Sequence, residues 1–177
     1  AKGMQYSCAG LLADGPAAAR YHEGSFACLY LAPYNYHRIH MPCDAVLRAT
    51  RYVPGQLFSV NAATARTIPD LFARNERVVC EFDTEDGPLC LVLVGALFVG
   101  SIETVFAGEI NPPPGRGGKV RLIEAGVGRT FRRGEEIARF NMGSTVIVLT
   151  GKAVSFAPRV EPGEPVRLGQ MLARFDA

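Results

Sequence analysis

The chain lacks an excess of charge of either sign: nineteen Lys and Arg stand against seventeen Asp and Glu, a formal +2. So small an imbalance leaves no electrostatic footprint for nucleic acid, and any acidic partner has to be recognised by local groups. Paired cysteine motifs are also missing. Cys8, Cys28, Cys43, Cys80 and Cys90 are odd in number and none are spaced as CxxC. That excludes a zinc site and a disulfide framework, and reads as small buried hydrophobes in a reducing compartment. The longest nearly uninterrupted apolar run, Leu89 to Gly100, is twelve residues, against the roughly 20 that a membrane-spanning helix needs. No basic, apolar, small-residue signal opens the chain. It starts Ala1-Lys2-Gly3 rather than with Met, which reads as a trimmed or incomplete polypeptide.

What is present is the composition of an ordinary globule: 177 residues, 48% hydrophobic and 20% charged, read as one domain over 1–177. Nineteen glycines and twelve prolines favour many short elements and tight turns, so the expected class is mainly β with few short helices. Runs rich in β-branched and aromatic residues predict strands over Phe26 to Leu31, Ala45 to Val53, Arg77 to Asp83, Leu89 to Val99, Thr104 to Ile110 and Val120 to Glu124. Ser7 to Ala13 reads as a short helix capped by Ser7. Asn61 to Phe72, which contains Pro69, reads as a loop with a helical turn covering one sheet. Asn111 to Gly118, with three consecutive prolines, reads as a long exposed loop.

Near the C-terminus the sequence repeats itself. Phe131-Arg132-Arg133-Gly134-Glu135-Glu136-Ile137-Ala138-Arg139-Phe140 aligns with Val166-Arg167-Leu168-Gly169-Gln170-Met171-Leu172-Ala173-Arg174-Phe175 at an offset of 35 residues. Each copy reads as a turn at its Gly followed by a strand. Two such hairpin-like units are expected to pack about a quasi-twofold axis, in the manner of lipoyl and biotinyl carrier domains and other barrel-sandwich folds. Between the copies, where a carrier presents its modified Lys, stand Gly143-Ser144-Thr145, and the nearest Lys is Lys152. A carrier arm is therefore disfavoured.

A Gly-Ser bond in a tight turn offers other chemistry. The Ser144 hydroxyl can attack the preceding carbonyl, which Gly143 leaves unobstructed, and turn amide into ester. β-Elimination then cuts the chain, and loss of ammonia leaves a pyruvoyl ketone, an electron sink. Tyr36-His37-Arg38-Ile39-His40-Met41-Pro42 supplies two imidazoles at i and i+3. That spacing is unconvincing for a metal, but a neutral imidazole suits deprotonation of the hydroxyl or a proton shuttle.

Six blocks in order resemble phosphatidylserine decarboxylase: Leu31 to Pro42, Val53 to Asn61, Leu71 to Arg77, Val94 to Ala96, Val99 to Thr104 and Phe140 to Ile147, the last containing Met142-Gly143-Ser144-Thr145 where the family usually has LGST. The resemblance implies a proenzyme that cuts itself between Gly143 and Ser144, giving a β subunit of residues 1–143 and an α subunit of 144–177 that stay interleaved. Ser144 would be nucleophile and pyruvoyl precursor, His40 the base of an Asp-His-Ser maturation triad, and His37 the group assisting decarboxylation or reprotonation. The product would be phosphatidylethanolamine. The family's triad Asp lies upstream of the segment at which this chain begins, so Ala13-Asp14-Gly15 is read as a coincidental match.

The implied partners are phosphatidylserine and a membrane surface, touched peripherally on the cytoplasmic face of a bacterial inner membrane; a homo-oligomer is left open. An apolar lipid entrance is expected around Leu57, Phe58, Val60, Leu71 and Phe72, with Arg74 and Arg77 facing phosphate or anionic headgroups. The rival readings are a pyruvoyl decarboxylase of a soluble amino acid and a non-catalytic lipoyl- or biotinyl-like binding module.

Overall fold

The β-branched and aromatic runs do fold as strands, because such side chains suit a pleated, half-buried surface. In chain order these are β1 (Phe26–Leu31), β2 (Arg38–His40), β3 (Ala45–Val53), β4 (Arg77–Thr84), β5 (Gly87–Val94), β6 (Ile102–Thr104), β7 (Gly108–Ile110), β8 (Arg121–Ile123), β9 (Thr130–Phe131), β10 (Glu136–Phe140), β11 (Ser144–Thr150), β12 (Val154–Phe156) and β13 (Ala173–Phe175). The helices are short: α1 (Cys8–Leu12), α2 (Gly15–Ala18), α3 (Ala62–Thr67) and α4 (Leu71–Arg74). This computed structural model describes residues 5–96, 101–110, 118–141 and 143–176. Val99, Gly100, Met142 and most of the proline-rich 111–118 stretch lie outside the described residues.

Among the described residues these form three antiparallel sheets. The largest runs β1-β11-β5-β4-β3-β8, with β9 also on β3; the second runs β2-β10-β6-β7; β12 and β13 pair alone. The segment expected to be one strand from Thr104 to Ile110 is a hairpin, β6 and β7, closed by Thr104 Oγ1 accepting from the Ala107 N–H at 3.1 Å. The 61–72 segment forms α3 and α4, with Asn61 Oδ1 capping α3 at 2.8 Å. The copies of the repeat share a turn: Gly134 (φ +83) and Gly169 (φ +84) are both left-handed, and Glu135 and Gln170 accept from the N–H groups of Arg132 and Arg167 at 3.0 Å each. They do not pair as one unit, since β10 is interior to the second sheet while β13 pairs only with β12. The mainly β class stands; the turn is local, and strand pairing is decided by what each strand can bury.

In antiparallel sheets directly paired residues share a face. One face of the large sheet holds Arg77, Val79 and Glu81 and lies under the N-terminal helices. The other holds Tyr52, Val78, Phe82, Leu93 and Val146 and faces the second sheet, with Phe131 set edge-on between Phe82 (6.2 Å) and Phe106 (6.1 Å). Charge ties the helices down: Arg51 bridges the buried Glu81 to Asp14 (2.7 Å), and Arg20 reaches Glu81 (3.5 Å) and Asp83. Asp14 also caps α2 through the Ala17 N–H at 3.0 Å, so this carboxylate is wholly engaged in holding the helices. All five cysteines are free, and burial pushes the Cys80 thiol up to about 12. No helix of the described residues is long and apolar enough to cross a membrane.

Arg77 does not face headgroups. It is 2% exposed, and its guanidinium donates to the carbonyls of Leu11 (2.7 Å), Gly10 (2.8 Å), Ala73 (2.7 Å) and Asn75 (2.8 Å). It thereby satisfies carbonyls at the ends of both α1 and α4, groups a helix terminus leaves orphaned. Desolvation holds its pKa down at about 10. Arg77→Ala leaves those acceptors without their donor and is expected to lower stability by about 2–4 kcal/mol. Arg77→Lys, a point charge in place of a planar fork, is expected to recover less than half of that; urea unfolding of the three proteins measures both.

Candidate active site

Ser144 opens β11, paired on one side with Leu31 at the end of β1; the next residue, Thr145, pairs with Val94 at the end of β5. Counting back by two from Val146 puts Ser144 on the face turned to the second sheet. It is 0% exposed, and its Oγ donates to the Val94 carbonyl. Immediately before it, Gly143 lies against backbone: a Cβ built there would sit 2.9 Å from the Leu31 carbonyl oxygen and 2.9 Å from the Pro33 nitrogen. Only a residue without a side chain permits that approach. The partner segment is a closed turn, with Asn35 Oδ1 accepting from the Ala32 N–H and the Asn35 N–H donating to the Ala32 carbonyl, both at 2.8 Å.

The two histidines are separated by the pleat of β2. Ile39 is buried, while Arg38 and His40 occupy the outer face with the ion pairs Arg38–Glu136 (2.7 Å) and Arg139–Glu103 (2.6 Å), which line a shallow groove of about 250 Å³. His40 pairs with Glu136, four residues back along β10 from Phe140, or roughly 13 Å at the rise of a strand. Gly134 O accepts from its Nδ1 at 2.8 Å, and a carbonyl can only accept, so Nδ1 carries the hydrogen. In the neutral ring Nε2 is then the basic nitrogen, and the Tyr36 hydroxyl donates to it at 2.8 Å with the two rings stacked at 5.7 Å.

His37 lies at the opposite end of β2. Its carbonyl accepts from the Phe140 N–H at 3.0 Å, three residues short of Gly143. Its Nε2 is buried without a hydrogen-bond partner among the described residues, as is Thr145 Oγ1 beside Ser144. A buried polar atom without a partner is costly and marks a place where a further group can be received. The structure thus brings His37 to the end of the molecule where Ser144 lies and places His40 on the outer face of the small sheet.

Of the residues expected at a lipid entrance, Val60, Leu71 and Phe72 are in the core, Phe72 packing on Tyr6 at 5.4 Å. Phe58 is half-buried beneath the exposed Arg74, whose guanidinium carbon stands 5.1 Å from the ring centre. The loop carrying Phe58 is stapled by Asn75, fully buried, which accepts from the Phe58 N–H (3.1 Å) and donates to the carbonyls of Phe58 (2.8 Å) and Gly95 (2.9 Å). Sequence reading passed over Asn75 and Tyr36. Nothing in the sequence marks Asn75 as buried, whereas Tyr36 sits four residues from His40 inside the quoted motif. Because the atoms opposing Gly143 are backbone, Gly143→Ala is expected to cost about 1–3 kcal/mol, read as a lowered melting temperature with little change in the far-ultraviolet circular dichroism.

The model of the phosphatidylserine decarboxylase family matches residues 1–174 of the chain. A phosphatidylserine decarboxylase proenzyme from Methylibium petroleiphilum is 54% identical over 176 residues, covering 98% of this chain and 62% of that relative. One from Acidovorax ebreus is 53% identical over 176 residues and one from Yersinia pestis 52% over 180, each again covering 98% of this chain, with 62% and 61% of the relative. The chain thus spans about three fifths of the length of the curated relatives it matches. With a family model covering nearly every residue and relatives identical at more than half of the aligned positions, the chain belongs to the phosphatidylserine decarboxylase family.

Proposed function

We propose that the chain carries the catalytic segment of a self-cleaving phosphatidylserine decarboxylase, cut between Gly143 and Ser144, with a pyruvoyl group made from Ser144 as its cofactor. The observation that carries this is the junction itself: a fully buried serine heads an interior strand, preceded by a glycine in contact with backbone, with an imidazole nitrogen at the same end that has no partner among the described residues. Those residues fit the group, since Ser144 supplies its atoms and burial shelters it from water.

In self-cleavage Ser144 Oγ exchanges its bond to Val94 O for attack on the Gly143 carbonyl carbon. The C–O bond forms as the amide C–N bond breaks, and the hydroxyl proton ends on the freed amine. Removal of the Ser144 Cα proton expels Gly143 as a carboxylate, and water then displaces the nitrogen as ammonia. The resulting ketone, when present, supplies the electron sink for loss of an α-carboxylate. His40 is assigned as the base of self-cleavage through Nε2, a role that requires it to leave Tyr36 and be carried from the outer face of the small sheet to within hydrogen-bond reach of Ser144 Oγ, and His37 as the proton carrier to the substrate carbon once carbon dioxide has left. Arg74 receives the lipid phosphate above Phe58, and Phe72 holds α4 in place from the core side.

Interleaving of the two pieces follows from β11. Cut at its first residue, it keeps its pairing with Phe26 to Leu31 on one edge and Leu89 to Val94 on the other. Contact with the bilayer is peripheral in this reading.

In the complete precursor, Ser144→Ala is expected to leave one uncut polypeptide and His40→Ala to slow cutting by about 10²–10⁴. His37→Ala is expected to cut normally yet release carbon dioxide from phosphatidylserine about 10² slower or worse. Intact mass and carbon dioxide release read these out. An uncut but folded His37→Ala protein ends the division of labour, and activity on free serine alone moves the assignment to a soluble amino acid.

A further inference from the structure

Among the described residues Ser144 is closed off on both faces of its sheet, by the N-terminal helices on one side and the second sheet on the other, which leaves the strand-end edge as the route for a substrate anchored in a bilayer. That edge is continuous. Gln56 donates to Arg74 O (2.9 Å), Glu76 to Gln56 O (2.8 Å) and Gly95 to Glu76 O (2.8 Å), and the row ends at the Ser144–Leu31 pair. Five neighbouring segments spaced as in a sheet span roughly 19 Å.

Two side chains stand out from the ends of this row. Tyr34 is 88% exposed, the most exposed large hydrophobic residue described. It follows Pro33, which packs against Gly143, in the turn that Asn35 closes with two hydrogen bonds. A large aromatic ring is therefore held out to water beside the Gly143–Ser144 bond on a turn with little freedom to fold it away. At the other end Arg74 is exposed and, among the described residues, pairs with no carboxylate; its contacts are the Phe58 ring and the Pro69 carbonyl (3.4 Å). Tyrosine, apolar in body and polar at its tip, suits the depth of lipid headgroups, and an unpaired guanidinium suits their phosphates.

We propose that this edge is the surface that meets the phospholipid bilayer, with Tyr34 set among the headgroups and Arg74 against a lipid phosphate. The proposal rests on the reading of phosphatidylserine as substrate, and its test separates the two. These 177 residues contain no Trp, so Tyr34→Trp places a fluorescent probe at the turn, its emission read as the difference from the unsubstituted protein. With vesicles of phosphatidylserine and phosphatidylcholine its emission is expected to move to the blue and to be quenched by lipids spin-labelled near the headgroup. In the enzyme from the complete precursor, Tyr34→Ser is expected to raise the vesicle concentration for half-maximal carbon dioxide release about five- to tenfold, with turnover of monomeric short-chain phosphatidylserine within twofold of normal. Arg74→Gln weakens vesicle binding most at low salt. Emission unmoved by vesicles, unchanged half-saturation for Tyr34→Ser, or equal loss on monomeric and vesicular substrate overturns the proposal. Blue-shifted, quenched emission from an enzyme that releases no carbon dioxide from phosphatidylserine upholds the surface and overturns the substrate.

Discussion

The threading of β11 between β1 and β5 is the constraint from which the position of Ser144 and of the edge around it follows. Six residue pairs on each side fix its register, and a strand's side chains alternate, so a slip of one residue would turn Ser144 toward the N-terminal helices and Thr145 toward the second sheet. Register is set by burial: Val146, Ile147 and Leu149 are all inside, and at the head of the strand Gly143 meets backbone where any Cβ would collide. The glycine is therefore needed twice over, first so that β11 can approach the Leu31–Pro33 turn, and then, in the proposed reaction, so that the carbonyl before Ser144 is open to attack.

The rigidity of that edge comes from buried polar groups more than from its short elements. α1 and α4 have five and four residues, too few for a helix to persist on its own hydrogen bonds. Arg77 ties both to β4 through their carbonyls, and Asn75 ties the Phe58 loop to Gly95. A buried charge and a buried amide are costly when unmatched; matched as they are, they oppose any shift of the segments around Ser144. The same polar stitching explains how a loop-rich edge can hold a fully buried serine with its hydroxyl already bonded.

The sequence made much of the scaffold legible. β1 and β3 begin and end where their apolar runs do, and Ser7 caps α1 as its position suggests, accepting from the Gly10 N–H at 3.1 Å. The junction at 143–144 stood out because Gly before Ser between strand-forming runs has a chemical meaning. Other features depend on partners distant in sequence. β2 is three residues long and is a strand only because β10 pairs with it, so neither its existence nor the opposite faces of His37 and His40 could be read locally. Arg77 looks like any surface cation until the carbonyls of residues 10 and 11 are brought to it. The repeat carries its turn faithfully, but like turns do not oblige like strands to pair.

The separation of the two imidazoles bears on how one small fold can hold two kinds of proton transfer. A single histidine serving both self-cleavage and turnover would need one environment for a step that removes protons from its own chain and another for a step that returns one to a substrate. One ring stands outside, with its tautomer fixed by Gly134 and its basic nitrogen bonded to Tyr36, and the other inside, with a nitrogen that has no partner among the described residues, so each has its own surroundings. Strand alternation produces this at no extra cost. His37 stands one residue before β2 and His40 ends it, so a spacing of three along extended backbone turns the two rings to opposite faces, and the boundary between water and core then does the rest.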